Sequence, residues 1–248
     1  MLLNRGLSVT SFPNLHVKNV DHVPTVKEIG SNKIDLIVTV SGDGTILRML
    51  RVLDNSTPCI CVNVGGRGIL AEIKPDQARI AFDKILNGDM ILERRSRIRS
   101  QIKERTLPPA LNEVHLLRQT VAHTPSFTID FDSGAVFTQR MDGVLISTPT
   151  GSTGHSYSYG APFLEGSLDV FMITPEGPIN RFPIVVKRAN SPVRILGTFA
   201  LDLIIDGQDV FAVEADTFVS LKKHDHDAVF VRFDTAGSFR QLKNLGFK

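Results

Sequence analysis

Cysteine is almost missing from this sequence. Its two copies, Cys59 and Cys61, stand one residue apart in the apolar run CICVN. They are expected on opposite faces of a strand, so neither a disulfide framework nor a zinc site follows. An excess of one charge is missing as well. Lys and Arg number 28 against 26 Asp and Glu, a formal net charge of +2, and no run of five or more like charges advertises a nucleic-acid or membrane surface. No window approaches the roughly 18 apolar residues of a membrane-spanning helix. The opening MLLNRGLSV lacks the long apolar stretch and small-residue cleavage site of a leader. The expected setting is the cytoplasm, with no nucleic-acid or membrane partner. Internal repeats and low-complexity segments are absent too.

What is present suits a packed globular fold. Hydrophobic residues make up 42% and charged residues 22% of 248 positions, enough for one large domain or two compact ones. Two textures follow one another. From about Asp35 to Gly88 short apolar runs alternate with amphipathic stretches: DLIVTV, SGDGT, ILRMLRVLD, CICVN, GGRG and PDQARIAFDKILNG. Ile46, Leu47, Leu50 and Leu53 recur at helical spacing after the first run, which predicts strand, loop, helix. Pro75 opens and Gly88 closes a second helix. The expected fold here is α/β with a parallel sheet.

From about Arg97 onward alternation takes over. Phe127, Ile129 and Phe131 share one face of SFTIDFD, and Val229, Val231 and Phe233 share one face of AVFVRFD. Asp206-Gly207, between LIID and QDVFAV, is a hairpin signal because Gly accepts positive φ without strain. Such a run of short strands predicts a β-rich, sandwich-like second domain. The expected division is 1–94 (α/β), 95–232 (β-rich) and 233–248 (a segment returning to the first). The join near residues 90–96 carries Arg94 and Arg95 but no Pro/Gly linker, so close packing is expected.

Three segments carry candidate chemistry. SGDGT, residues 41–45, falls where a strand ends and a helix begins; small residues there admit a ligand to the backbone, and helix-end amides bind phosphate oxygens. Asp43 would repel phosphate unless it takes a proton from a hydroxyl nucleophile or helps hold Mg²⁺. Alternatively it merely caps the helix. In MDGVLISTPTGSTGHSYSYGAP, residues 141–162, an apolar run breaks into TPTGSTG. So many hydroxyls suit a loop that bonds ribose or phosphate through Thr148, Thr150, Ser152 and Thr153; the alternative is an ordinary surface loop. Asn112-Glu113 adjoin an apolar VHLLR. The carboxylate can accept both hydroxyls of a ribose, or the pair is a solvated strand end.

Taken in order, SGDGT, NVGGRG (63–68), LNEV (111–114), DGVLISTPTGST (142–153) and IIDGQ (204–208) resemble the NAD kinase family. That family shares its phosphate loop with diacylglycerol and sphingosine kinases and phosphofructokinases, so the DG-to-TPTGST block decides. The resemblance implies an α/β domain followed by a β-rich one. It implies transfer of a phosphoryl group from ATP or polyphosphate, with Mg²⁺ or another divalent cation, to the adenosine ribose 2′-hydroxyl of NAD, giving NADP. It makes Asp43 the general base beside the ribose, with Gly42, Gly44 and Thr45 along the phosphates. Asn112 and Glu113 would hold a ribose. Asp142, Thr153, Gly154, His155 and Ser158 would surround the dinucleotide, and Arg67 would neutralise donor phosphate. The resemblance names no metal-ligating residue.

The sequence departs from the family at several points. Ser41 replaces the first Gly of GGDGT, Gly154-His155 stand where Ala-Tyr is common, and Ile179 follows Pro178 where the family often has His. The opening LLNRGLSVTSF corresponds to the end of the family's first helix and the strand after it, so an element of the sheet is expected to be missing or replaced. An unpaired sheet edge is usually protected, and a dimer or tetramer is expected. Two rivals are a diacylglycerol-type lipid kinase and a dinucleotide-binding regulator without transfer.

Overall fold

The computed structural model describes residues 3–12, 17, 18, 20–22, 34–65, 68–71, 73–234, 239 and 242. A two-residue strand β1 (Thr10–Ser11) pairs in parallel with β2 (Asp21–His22). The apolar, β-branched run that follows gives β3 (Ile37–Ser41), which leads through Gly42 into α1 (Asp43–Val52). Next come β4 (Pro58–Asn63), a 3₁₀ turn over Pro75–Gln77, α2 (Ala78–Leu86) and β5 (Ile91–Arg95). Helical spacing on α1 buries Ile46, Leu47, Met49 and Leu50 against the sheet. Each such side chain, fully buried, contributes about 1.5–3 kcal/mol.

The chain then runs through a long antiparallel region: β6 (Ile98–Ile102), β7 (Arg105–Thr106), β8 (Glu113–Arg118), β9 (Ser126–Asp130), β10 (Val136–Arg140) and β11 (Gly143–Ser147). After a short helix α3 (His155–Ser158) come β12 (Val170–Glu176), β13 (Val185–Arg188), β14 (Val193–Gly197), β15 (Leu201–Ile205), β16 (Asp209–Val213) and β17 (Val219–Lys223). They form two six-stranded sheets, ordered β10-β9-β14-β17-β6-β7 and β13-β12-β11-β8-β15-β16. Phe127, Ile129 and Phe131 do share the inward face, packed with Val114, Leu116, Val144 and Ile146 of the other sheet in one core. The second region is therefore a sandwich.

The last strand, β18 (Ala228–Arg232), belongs elsewhere. It lies parallel to β4 and antiparallel to β5, completing a sheet ordered β3-β4-β18-β5. The expectation that AVFVRFD extends the β-rich region gives way, and the return to the first sheet comes by residue 228. Both faces of β18 are buried, Phe230 toward α1 and Val231 toward α2, as befits an inner strand with helices on both sides. The cysteines are corrected too. Residues two apart on a strand share a face: Cys59 and Cys61 both pack under α1, while Ile60 between them packs under α2.

The chain crosses between first sheet and sandwich at residues 96–97 and again at 224–227, and both crossings are tied down. Arg97 is fully buried; its guanidinium donates to the carbonyls of Leu50 in the last turn of α1, of Leu53 and Asn55 just past it, and of His226, at 2.7–3.2 Å. The His224 amide bonds Arg97 O at 2.9 Å. Burial, then the nearby guanidinium, lower the pKa of His224. His224 Nδ1 accepts from the His226 amide, and Nε2 lies 3.0 Å from Asp54 Oδ1. Close packing at the join, expected from the lack of a linker, has this network behind it.

Candidate functional site

The SGDGT turn forms as its small residues suggest. Gly42 is extended and caps α1, with the Thr45 amide bonded to Gly42 O at 3.2 Å. Ser41 Oγ donates to Gly42 O, also at 3.2 Å. Asp43 does not cap its own helix. Its carboxylate reaches across to the segment after the second Gly-rich loop, accepting from the amides of Ile69 (2.8 Å) and Leu70 (3.1 Å). Two fixed donors thus orient the carboxylate. Gly44 and Thr45 are exposed, so the first turn of α1 presents backbone amides to solvent. Arg67 lies outside the described residues.

Opposite stands the start of β8. Because Val114 and Leu116 point into the sandwich core, the alternation of a strand puts Glu113 and His115 on the outer face. That face is covered by the 3₁₀ turn Thr150–Thr153 and by α3. Glu113 is buried instead of solvated, and its Oε2 has no hydrogen-bond partner among the described residues. Burial, then the Asp206 carboxylate, push its pKa up to about 8, against a smaller opposing pull from the His155 backbone N–H. Asp206 itself accepts from three successive amides, Leu111 (3.0 Å), Asn112 (2.8 Å) and Glu113 (3.2 Å). Burial raises its carboxyl, with those amides pulling the other way.

The hydroxyl-rich block behaves otherwise than expected. Thr148, Thr150, Ser152 and Thr153 are all buried. Thr148 Oγ1 donates to Leu111 O (2.6 Å) and accepts from the Gly151 amide (3.2 Å), Ser152 Oγ donates to Pro149 O (2.7 Å), and Thr153 Oγ1 donates to Thr150 O (3.3 Å). Ser147 and Ser156 hydroxyls bond each other. In a turn too tight for regular ladders, hydroxyls satisfy backbone groups that would otherwise be orphaned. Gly151 permits the docking itself: a Cβ there would sit 2.1 Å from Asn112 O.

Beyond His155 a polar cluster fills the same outer face. His115 Nε2 and Glu176 Oε2 are 2.6 Å apart, bridging β8 and β12 over β11. This crossing requires the Gly at 143, where a Cβ would lie 3.0 Å from each of those atoms. Burial would raise Glu176, but hydrogen bonds from His115 and Tyr159 lower its pKa; burial, then the same bond, push the Tyr159 phenol up to about 12. His155 is exposed, its ring centroid 5.4 Å from those of His115 and Tyr159. Asp142 is ion-paired to Arg118 at 3.2 Å, and Ser158 is exposed at the end of α3.

Asp43, Asn112, Thr153 and Gly154 meet at one small cavity of about 50 Å³, together with Leu47, Ile69, Leu70 and Thr150. A larger cavity, about 370 Å³, borders β5, the 165–169 loop and Lys223 and includes no sequence-predicted site residue. Of its lining charges, Glu93 pairs with Arg95 and Arg232, and Asp169 with Lys223. The sequence-predicted residues gather at the smaller one. Sequence reasoning missed the Ile69 and Leu70 amides, Asp206 as a backbone clamp, and the His115–Glu176 pair. For Asp206 a signal existed, since an acidic residue at positive φ (49°) beside Gly is a turn position with its carboxylate free to reach backbone amides.

These features define a class: a nucleotide-binding α/β protein whose helix-end turn faces a β-sandwich across a narrow cleft, with a carboxylate on each side. Comparison with known proteins narrows it. The ATP-NAD kinase N-terminal domain model matches residues 4–90 and the ATP-NAD kinase C-terminal domain model residues 111–233. An NAD kinase of Thermococcus gammatolerans is 35% identical over 206 residues, 81% of this chain and 74% of the relative. One from Methanothermobacter thermautotrophicus is 33% identical over 242 residues, 93% and 83%. The crystal structure of an Archaeoglobus fulgidus NAD kinase in complex with ATP superposes with a TM-score of 0.77 at 28% identity, over 92% of this chain and 90% of that one. Yeast NADH kinase complexed with NADH shares the fold, with a TM-score of 0.85 at 21% identity over 92% and 71%. The chain belongs to the NAD kinase family.

Proposed function

We propose that in this NAD kinase Asp43 takes the proton of the adenosine ribose 2′-hydroxyl of NAD while ATP lies over the Gly42–Thr45 turn. NAD is the acceptor and NADP the product, as for the relatives named NAD kinase. ATP as donor is supported by its presence in the Archaeoglobus fulgidus complex. The observation that carries the reading is the posture of Asp43: two amides hold its carboxylate at a cavity whose far wall is Asn112, Thr153 and Gly154. A carboxylate oriented in this way at the cleft supports a base that takes the proton as the hydroxyl attacks.

The remaining roles follow from position. Gly42, Gly44 and Thr45 offer backbone and a hydroxyl to donor phosphates, while a role for Arg67 as a neutralising cation rests on the family resemblance alone. Asn112 and Glu113 receive the ribose; the unpartnered Oε2 of Glu113 suits a hydroxyl donor. Thr153 and Gly154 shape the cleft by their backbone, while Asp142, His155 and Ser158 bound the rest of the dinucleotide. Among the described residues no three His, Cys, Asp or Glu cluster to hold a metal. Bound to the donor's phosphates, as is common for this ion, Mg²⁺ would neutralise charge there. Positioning and charge neutralisation then do most of the work.

The reading keeps two domains dividing near residue 95, with β18 joining the first, and a cytoplasmic setting. It also keeps self-association, since edge strands β10, β13 and β16 expose Val136, Val186 and Val210. The test is NADP formation from NAD with ATP or polyphosphate, with and without Mg²⁺, beside a lipid dispersion as competing acceptor. NADP from NAD but none from 2′-deoxy-NAD is expected. Phosphorylated lipid, or product from 2′-deoxy-NAD, would overturn the acceptor assignment.

A further inference from the structure

The larger cavity has so far been given no role. It runs along the free edge of β5, the outermost strand of the first sheet, between residues 92–96 and the 165–169 loop of the sandwich. It ends at the return crossing, with Lys223 and Asp227. Its volume of about 370 Å³ falls within the range of small-molecule sites. The strand ladder sorts what faces it. Leu92 and Arg94 stand opposite Val231 and Val229 of β18, and Val231 packs toward α2, so both belong to the α2 side. The same alternation, carried one residue past each strand, brings Ser96 and Asp227 opposite each other on that side. Most of the lining charge is already engaged. Glu93 pairs with Arg95 and Arg232, Asp169 pairs with Lys223, and the Glu165 carboxylate accepts from the Ser167 amide and hydroxyl. Arg94 and Asp227 remain: neither side chain has a hydrogen bond or ion pair among the described residues. Beside them Ser96 Oγ is buried without a hydrogen-bond partner, and a buried hydroxyl left so calls for a partner from outside the chain. Leu92 and Leu168, each almost half exposed, face the same space.

We propose that this cavity is a binding site for a free α-amino acid with an apolar side chain. It shares no lining residue with the cleft at Asp43. The Arg94 guanidinium takes the ligand's carboxylate, whose two oxygens match its fork of N–H donors. The Asp227 carboxylate accepts from the ammonium, Ser96 Oγ bonds alongside, and Leu92 and Leu168 cover the side chain. Charge argues against a second site for substrate or product. Glu93, Glu165, Asp169 and Asp227 face the cavity against Arg94 and Lys223, which leaves no surplus of positive charge for a dinucleotide's phosphates. A zwitterion needs no such surplus. One wall belongs to the first sheet and the other to the sandwich, so a bound amino acid bridges the two and stabilises the folded chain by mass action.

The test is calorimetric titration and thermal unfolding of the full chain with alanine, valine, leucine, methionine and phenylalanine. Beside them run isocaproate, which has the carboxylate without the ammonium, isoamylamine, which has the reverse, and inorganic phosphate. At least one of the amino acids should bind saturably and raise the melting temperature, while isocaproate and isoamylamine at the same concentration do neither. Arg94→Gln and Asp227→Asn should each weaken that binding about 10- to 100-fold, the loss expected of a charge-assisted hydrogen bond. NADP formation should stay at the wild-type level in both, since neither residue lines the cleft. No saturable binding of any amino acid up to about 10 mM, or binding unchanged in both variants, would overturn the proposal. Isocaproate binding as tightly as the amino acids would overturn it as well. So would phosphate binding that Arg94→Gln abolishes, which would mark a simple anion site.

Discussion

Two loops of this protein look alike on paper, SGDGT and TPTGSTG, each a cluster of glycine and hydroxyl residues after an apolar strand. The fold treats them oppositely. The first leaves Gly44 and Thr45 exposed at a helix end, where the backbone is open to a ligand. The second is buried, and its hydroxyls bond the loop's own carbonyls, such as that of Pro149, or that of Leu111. Small polar residues can thus open a backbone to a ligand or allow two backbones to touch. Which one occurs depends on what the rest of the chain packs against the loop.

The sharpest way to break this contrast is at Asp43, which acts from the open loop. Asp43→Asn should reduce NADP formation by about 10²- to 10⁴-fold, with folding lowered only by about 1 kcal/mol because one of the two loop amides loses its acceptor; near-normal turnover would remove Asp43 as the base. In the buried loop the effect should move to stability. Gly151→Ala forces a methyl against Asn112 O and should cost about 1–3 kcal/mol in a denaturant titration. Thr148→Val, which deletes two buried hydrogen bonds, should cost about as much, whereas Thr45→Val should change stability by less than about 0.5 kcal/mol and raise KM for ATP instead. Equal behaviour of the two threonine variants would erase the distinction.

The smallest effect concerns pH. Glu113 goes from its ordinary 4.5 to about 8 in the fold, so the folded chain binds this proton more tightly than the unfolded one. Its contribution is fully present below about pH 4.5 and is lost progressively as pH rises to about 8. Glu113→Gln should therefore gain in melting temperature relative to wild type across that window and level off above it. A constant difference from pH 5 to 9 would show that Glu113 is not held neutral.

Much of this architecture is legible from local pattern. Helical spacing at Ile46, Leu47 and Leu50, and alternation at Phe127, Ile129 and Phe131, each follow from one element meeting one core. What escaped depends on partners far along the chain. Nothing local in AVFVRFD reveals that it inserts between β4 and β5, since a strand buried on both faces and a half-buried one can carry the same letters. Glu113 reads as a solvated end until the 150–158 segment folds over it. Asp206 reads as turn chemistry, correctly, while its carboxylate serves a strand over ninety residues earlier. In the site, Asp43 and Asn112 were visible as types, but the two amides that aim Asp43 come from a segment without a distinctive side chain.

Arg97 bears on how such an enzyme can move. The guanidinium that caps the far end of α1 sits at the outward crossing and bonds the return crossing through His226. Swinging the sandwich away from the first sheet would exchange these charge-assisted hydrogen bonds for water, at about 1.5–3 kcal/mol each. Rigid-body opening at these crossings is thereby made costly. The molecule works as a vice with a fixed jaw, its adjustment confined to the lining.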